Sequence, residues 1–254
     1  MKKIYFLLLA TILIASCKPG SKTNNRSEGK PVITVTLEPL RYLTEAIAGD
    51  RFTVVSMVPK GTSPETYDPT PQQLVELARS KAYFRIGYIG FEQTWTDKLT
   101  DNAPHLQFFD MSQGVDLIYD NTHVHHHAAN EKEHQHAIGV EPHIWNSAVN
   151  AQIIAGNILS ALRNIDKGNE DFYLERYNTL CRKIEHTDSL IRQTLATPGA
   201  DHAFMIYHPA LSYFARDYGL HQIPIEAGGK EPSPAHLKLS LIHISEPTRR
   251  TPIS

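Results

Sequence analysis

Cysteine is scarce in this sequence, and several other features are missing. The 254 residues include only Cys17 and Cys181, too few for a disulfide framework or a cysteine zinc site. Lysine and arginine form no cluster, and 25 basic against 27 acidic residues leave a net charge of -2, which argues against nucleic acid as a partner. No HExxH helix of a zinc peptidase occurs. These absences direct attention to the residue type that is abundant, histidine.

Histidine is concentrated in one short stretch. Residues 123–136 hold six of the 14 histidines, namely His123, His125, His126, His127, His134 and His136. Imidazole is the commonest side-chain ligand for zinc, copper and nickel. However, residues 121–139 show neither the strand period of two nor the helix period of 3.6, so a loop is predicted that cannot fix a tetrahedral site. We therefore expect an accessory metal-binding loop and a primary site elsewhere.

The N-terminus has the pattern of an export signal. Two lysines precede the apolar or small residues 4–14, a run shorter than the roughly 20 residues that span a bilayer but sufficient for a signal-peptide core. Small residues then precede Cys17, which resembles the lipobox of bacterial lipoproteins. Residues 1–17 are predicted to be a lipoprotein signal peptide that leaves a lipidated Cys17, and residues 18–30 a flexible tether. A signal peptide with an incidental cysteine is the alternative.

From residue 31 onwards the hydrophobic pattern alternates between strand and helix. Strands are predicted at 32–37, 52–58, 83–86, 106–109, 203–208 and 220–225, and helices at 39–48, 71–78, 91–99 and 209–218. Between these rounds lie two purely helical segments, one capped by Asn146 or Ser147 and running to about residue 162, the other at 170–195. Such alternation predicts an α/β fold with parallel sheets covered by helices, and ligands at the carboxyl ends of strands.

Three residues outside the histidine loop stand where such a scaffold presents ligands. Glu65 lies in a turn-rich loop after a predicted strand, His143 precedes a helix, and His208 lies between a strand and a helix. Their spacing carries no local metal signature, so from spacing alone a hydrogen-bonded loop or core histidine remains the commoner interpretation.

Four stretches together resemble one family. They are "PKGTSPETYDPTPQQLVEL", "EPHIWNS", "HPALSYFARDYGL" and "EAGGKEPSPAHLKL", with the histidine-rich insert before the second. In this order they resemble the metal-binding lipoproteins of ABC importers for zinc and manganese, the cluster A-I solute-binding proteins. The resemblance implies two α/β lobes joined by a long helix, with the metal in the cleft between them. It places the family's ligands at Glu65, His143 and His208.

The resemblance also predicts the domain organisation. Residues 31–145 would form the N-terminal lobe, 146–199 the helical connector and 200–239 the start of a C-terminal lobe that is incomplete here. The family's fourth ligand, an acidic residue or water from the second lobe, would lie well beyond position 240 and is expected to be absent from this sequence. Residues 240–254 do not continue the family pattern and are interpreted as a non-native tail resembling sequencing-adapter read-through, with a natural divergent terminus as the alternative.

One ligand position departs from the family. The family pattern has histidine where Glu65 follows Pro64 in this sequence. Zinc accepts carboxylate oxygen, so a Glu-His-His set remains chemically sound, although a harder ligand weakens discrimination against manganese. Asp68 is a substitute ligand if Glu65 points away.

The leading hypothesis is a periplasmic, lipid-anchored, monomeric receptor that binds Zn(II) and delivers it to an ABC permease in the inner membrane. It is not predicted to be an enzyme. The alternatives are a manganese receptor of the same family, an exported zinc hydrolase and a metal-independent adhesin. A hydrolase would need a general base, and none is obvious in the sequence.

Overall fold

Six strands form two parallel sheets in the computed structural model, which describes residues 29–119 and 139–226. The first sheet contains β1 (Val32–Val35), β2 (Thr53–Ser56), β3 (Ala82–Arg85) and β4 (Gln107–Asp110) in the order β2-β1-β3-β4. The second sheet pairs β5 (Ala203–Ile206) with β6 (His221–Pro224). Parallel pairing throughout directs the carboxyl ends of neighbouring strands to the same edge of each sheet.

Helices connect and cover these strands. They are α1 (Glu38–Ala48), α2 (Pro71–Ala78), α3 (Gly90–Asn102), α4 (Ala148–Ile165), α5 (Glu170–Leu195) and α6 (Ser212–Tyr218). A short 3-10 turn, Lys167–Asn169, separates α4 from α5. No helix in the described ranges is both long enough and apolar enough to cross a membrane.

The apolar face of α1 joins the first sheet to the long helices. Its buried residues recur at helical spacing, with Leu40, Leu43 and Ile47 all facing inward, and both α4 and α5 pack against the same helix. Gly49 ends α1 with a φ of 58°, and a Cβ there would lie 2.9 Å from Phe172 of α5. Glycine is therefore required both by its left-handed backbone and by the close approach of α5.

The two long helices begin and end for local reasons. Ser147 accepts a hydrogen bond from the backbone N–H of Asn150 at 3.0 Å, so the predicted cap of α4 is confirmed at serine. Helix α5 spans the predicted range of 170–195, yet only Tyr173 and Leu180 are buried along it. Most of α5 is therefore exposed in the described part of the chain.

The α/β class with parallel sheets and a long helix is confirmed, and strand bounds differ from prediction by no more than two residues. The predicted strand 203–208 and helix 209–218 differ most where they meet, because β5 ends at Ile206 and α6 begins only at Ser212. The backbone N–H of Ala210 bonds the carbonyl of His208 at 2.7 Å, so the chain turns sharply there. His208 thus stands in a loop between strand and helix.

The division into lobes at 31–145, 146–199 and 200–239 stays a prediction. Several other predicted features lie outside the described residues: the signal peptide with Cys17, the tether up to residue 28, most of the loop 121–139 with its six histidines, and the tail 240–254.

Candidate metal centre

His143 and His208 meet in space although 65 residues separate them in the sequence. Their Nε2 atoms are 3.3 Å apart, and the ring planes are inclined at 74° with centroids 5.0 Å apart. His143 lies in the loop before α4, whereas His208 lies in the loop after β5. Two separate βα-type connections therefore contribute one imidazole each to the same point.

The separation of the two nitrogens fits a shared metal ion. Zinc binds imidazole nitrogen at about 2.0 to 2.1 Å in tetrahedral geometry, which places two such nitrogens about 3.3 to 3.4 Å apart. The observed 3.3 Å between the Nε2 atoms lies in this range. The same distance also fits a long N–H···N hydrogen bond in which one ring carries its proton on Nε2. The spacing therefore suits two ligands of one cation when both rings carry their protons on Nδ1.

A carboxylate stands behind each histidine. Glu141 Oε1 contacts His143 Nδ1 and also accepts the backbone N–H of His143 at 3.0 Å. Glu226 Oε2 lies 3.3 Å from His208 Nδ1. The side chains of Glu141 and Glu226 are only 14% and 12% exposed, so both carboxylates face the protein rather than solvent. Each ring therefore has its Nδ1 engaged and its Nε2 directed at the other ring.

The loops that carry the two histidines are tied together. The buried Tyr213 hydroxyl on α6 donates to the backbone oxygen of Glu141 at 2.8 Å and accepts from the N–H of Ile118 at 3.1 Å. Asn146 donates to the carbonyl of Ala210 at 2.9 Å. Burial raises the pKa of Tyr213, which keeps its phenol a neutral donor. This half of the site is therefore held by the protein's own hydrogen bonds.

Glu65 is placed by the start of α3. Its Oε2 accepts the backbone N–H of Gly90 at 3.1 Å, where the helix N-terminus favours a negative charge. A Cβ at Gly90 would lie 2.6 Å from the backbone oxygen of Glu65, so glycine is needed for this approach. The side chain of Glu65 is exposed. Glu65 thus presents a carboxylate on a loop that a helix end stabilises.

The described residues do not bring the complete predicted ligand set together. Among them, no group of three or more histidine, cysteine, aspartate or glutamate side chains is arranged to hold a metal ion. His143 and His208 converge, Glu65 bonds to Gly90, and Asp68, the substitute ligand, accepts a hydrogen bond from the indole of Trp95 at 3.1 Å. The three-ligand set therefore stays a prediction.

A second carboxylate at the start of α3 is buried completely. Glu92 accepts hydrogen bonds from the Thr36 hydroxyl and from the backbone N–H groups of Ile86, at 2.9 Å, and Gly87. The Tyr83 hydroxyl bonds Thr36 at 2.6 Å. Desolvation by burial is the largest influence and raises the pKa of Glu92 despite these donors. This network fixes the loop between β3 and α3.

A profile of the family described as zinc-uptake complex component A, periplasmic (ZnuA), matches residues 33–246 of this chain. The chain belongs to the ZnuA family. The match covers most of the sequence and confirms the resemblance stated above. Members of this family are substrate-binding components of transporters and not enzymes, so the prediction that the chain is not an enzyme is confirmed.

Individual relatives carry the names of two metals. The high-affinity zinc uptake system protein ZnuA of Bacillus subtilis is 27% identical over 92% of this chain and 74% of its own length. The manganese ABC transporter substrate-binding lipoprotein PsaA of Streptococcus mitis is 28% identical over 87% of this chain and 70% of its own length. A crystal structure of ZnuA superimposes with a TM-score of 0.73 at 34% identity, covering 84% of this chain and 77% of that one.

Glu141 and Glu226 were not predicted from the sequence, although both stand in stretches that carry the ZnuA-family resemblance. A usable signal existed for Glu141, because an acidic residue two positions before a histidine can reach its Nδ1. No local signal exists for Glu226, which lies 18 residues from His208. Glu92 gave no signal either, since a glutamate in the first turn of a helix is usually solvated.

Proposed function

We propose that this chain is a receptor that binds Zn(II) outside the cytoplasm and delivers it to an ABC permease. The observation that carries the proposal is the pair of Nε2 atoms, 3.3 Å apart, on His143 and His208. Glu65 would supply a carboxylate as the third ligand, and water would complete the set. Family membership supports the transport role, and the names of the relatives support both zinc and manganese as cargo.

The donor set favours zinc over manganese. Imidazole nitrogen binds zinc more tightly than manganese, whereas carboxylate oxygen suits the harder manganese ion. Two histidines and one glutamate therefore favour zinc. Glu65, in place of the family's histidine, makes this preference for zinc over manganese smaller. Manganese remains the second candidate because PsaA relatives carry its name.

A stoichiometric titration tests the receptor role. We expect the chain to bind one Zn(II) tightly, as measured by competition with a chromogenic chelator, and to hydrolyse no ester, peptide or phosphate substrate when loaded. Absence of a tight equivalent would overturn the receptor proposal and favour a metal-independent adhesin. The physical basis is that a zinc hydrolase needs a general base beside its metal-bound water, whereas a receptor needs only the metal ligands.

We propose that Cys17 anchors the mature chain to a membrane through lipid, in the periplasm, where the chain acts as a monomer. Cys17→Ala should abolish acyl labelling and release the protein from membranes, because a single thioether-linked lipid group would be its attachment. Cys181→Ala is the matched control, since Cys181 is a free cysteine on α5 and should leave labelling unchanged. Labelling that persists in Cys17→Ala would refute the lipobox.

We propose that the histidine-rich loop collects zinc weakly and does not form the tight site. Deleting residues 123–136 should remove weak additional zinc equivalents and leave the tight one. The reason is entropic, because ordering each residue of a loop around an ion costs about 1 to 2 kcal/mol for the backbone alone. A variant with all six loop histidines changed to asparagine is the control of equal length. Loss of the tight equivalent in both variants would show that the loop supplies a primary ligand.

A further inference from the structure

Two carboxylates and two imidazoles form a continuous row at the candidate metal centre. The order is Glu141, His143, His208 and Glu226, with the two Nε2 atoms facing each other in the middle. Glu141 is fixed twice, since its Oε1 accepts the backbone N–H of His143 at 3.0 Å and its Oε2 accepts the Ser212 hydroxyl at 3.4 Å. Glu141 is therefore held by the fold itself.

We propose that Glu141 and Glu226 are positioning residues that hold both imidazoles in the Nδ1–H tautomer and thereby direct both Nε2 lone pairs at one ion. This inference rests on the proposed receptor function and deepens it. A neutral imidazole has one N–H, and an ionised carboxylate can only accept a hydrogen bond. Each carboxylate therefore selects the proton on Nδ1 and leaves Nε2 as a bare acceptor.

The row has a physical consequence at its centre. With both protons on Nδ1, neither Nε2 can donate to the other, so the two lone pairs face each other at 3.3 Å. That arrangement is unfavourable for two neutral rings and favourable once a cation lies between them. A glutamate that only helped its ring to pack would not direct the Nε2 atom of that ring at the other ring. The convergence of the two Nε2 atoms therefore indicates a role in binding a cation. The carboxylates thus prepare the ligand pair before the metal arrives.

Glu141 and Glu226 differ in how many hydrogen bonds hold their carboxylates in place. Glu141 makes several hydrogen bonds, and the side chain of its partner His143 is 15% exposed. Among the described residues, the side chain of Glu226 makes one such bond, at 3.3 Å, to the half-exposed His208. Partners of this kind, behind a metal ligand, typically affect affinity by about 10 to 100-fold. We expect the larger loss for Glu141 and the smaller for Glu226.

Two measurements test the proposal on the chain labelled with ¹⁵N-histidine. Long-range ¹H–¹⁵N correlation spectra of the metal-free protein should show the Nδ1–H tautomer for His143 and His208. In Glu141→Ala and Glu226→Ala the affected ring should lose that preference, and zinc affinity should fall by about 10 to 100-fold. Glutamine at either position keeps an accepting oxygen and should restore the tautomer and much of the affinity. Glu175→Ala, an exposed glutamate on α5, is the matched control.

The outcomes separate this inference from the receptor proposal. A parent chain that binds no tight zinc contradicts the receptor function, while the tautomer spectra still test the positioning role. Tight zinc binding that is unchanged in both alanine variants overturns the positioning role and leaves the receptor intact. The Nε2–H tautomer on either ring of the parent also overturns it. If Glu141→Ala does not fold, Glu226→Ala decides by the same two measurements, because its described side-chain contact is to His208 alone.

Discussion

Replacing either His143 or His208 with alanine should lower the zinc affinity of the chain by about 100 to 1,000-fold. A four-ligand zinc site contributes about 10 to 16 kcal/mol, or roughly 3 kcal/mol for each ligand. Each 1.4 kcal/mol corresponds to about a factor of ten in affinity. Because the two Nε2 atoms converge at 3.3 Å, loss of one ring removes one of the two imidazole ligands of the proposed site.

Competition titration with a chromogenic chelator places the variants on one scale. His105→Ala is the matched control, since this exposed histidine bonds the carbonyl of Ala78 at 2.6 Å and has no contact with the pair. It should bind zinc as the parent does. Unchanged affinity in both His143→Ala and His208→Ala would refute the proposed site and with it most of the case for a zinc receptor.

Glu65 should matter less for affinity and more for metal preference. Its carboxylate is exposed and stabilised by Gly90, so water or Asp68 can replace it in Glu65→Ala at a smaller cost than either histidine. Glu65→His should shift the preference further toward zinc over manganese, because imidazole is the softer ligand. The same titration with both metals measures the ratio, and an unchanged ratio would remove Glu65 from the ligand set.

Replacing Glu92 with alanine should lower the free energy of unfolding by about 2 to 6 kcal/mol. The substitution leaves the backbone N–H groups of the buried Ile86 and the half-buried Gly87 without their acceptor. Each such unsatisfied donor costs about 1 to 3 kcal/mol. The loss of Glu92 costs less free energy at the Thr36 hydroxyl, because this hydroxyl keeps its hydrogen bond with Tyr83. Urea unfolding followed by circular dichroism measures the difference.

Glu175→Ala is a suitable control because Glu175 is an exposed glutamate on α5. It should change the unfolding free energy by less than about 0.5 kcal/mol. Equal stability of Glu92→Ala and the parent would show that the buried network contributes nothing measurable.

The free energy of unfolding should also depend on pH through Glu92. Burial raises the pKa of Glu92, so the folded protein holds this proton more tightly than the unfolded chain does. The resulting stabilisation is complete below the unfolded pKa, about 4.3, and is lost as pH rises through the folded pKa. The unfolding free energy of the parent relative to Glu92→Gln should therefore decrease from about pH 4 toward neutrality. A constant difference across that range would contradict a raised pKa.

Local patterns were sufficient for most of the fold. The alternation of apolar periods predicted the strands and helices in order, because a period of two or 3.6 is a property of consecutive residues. The cap at Ser147 and the range of α5 were predicted for the same reason, since capping bonds reach only three residues along the chain. The sequence motifs also selected His143 and His208, although only through resemblance to a family.

Tertiary structure decided the chemistry of the site. His143 and His208 meet at 3.3 Å because two loops are tied through Tyr213 and Asn146, and no local pattern encodes such a distance. Ring orientation was likewise decided by Glu141 and Glu226, and the burial of Glu92 by its hydrogen bonds to Thr36 and to the loop after β3. Hydrophobic periodicity is a property of neighbouring residues. The distance between His143 and His208, in contrast, depends on the geometry of the whole chain between these two residues.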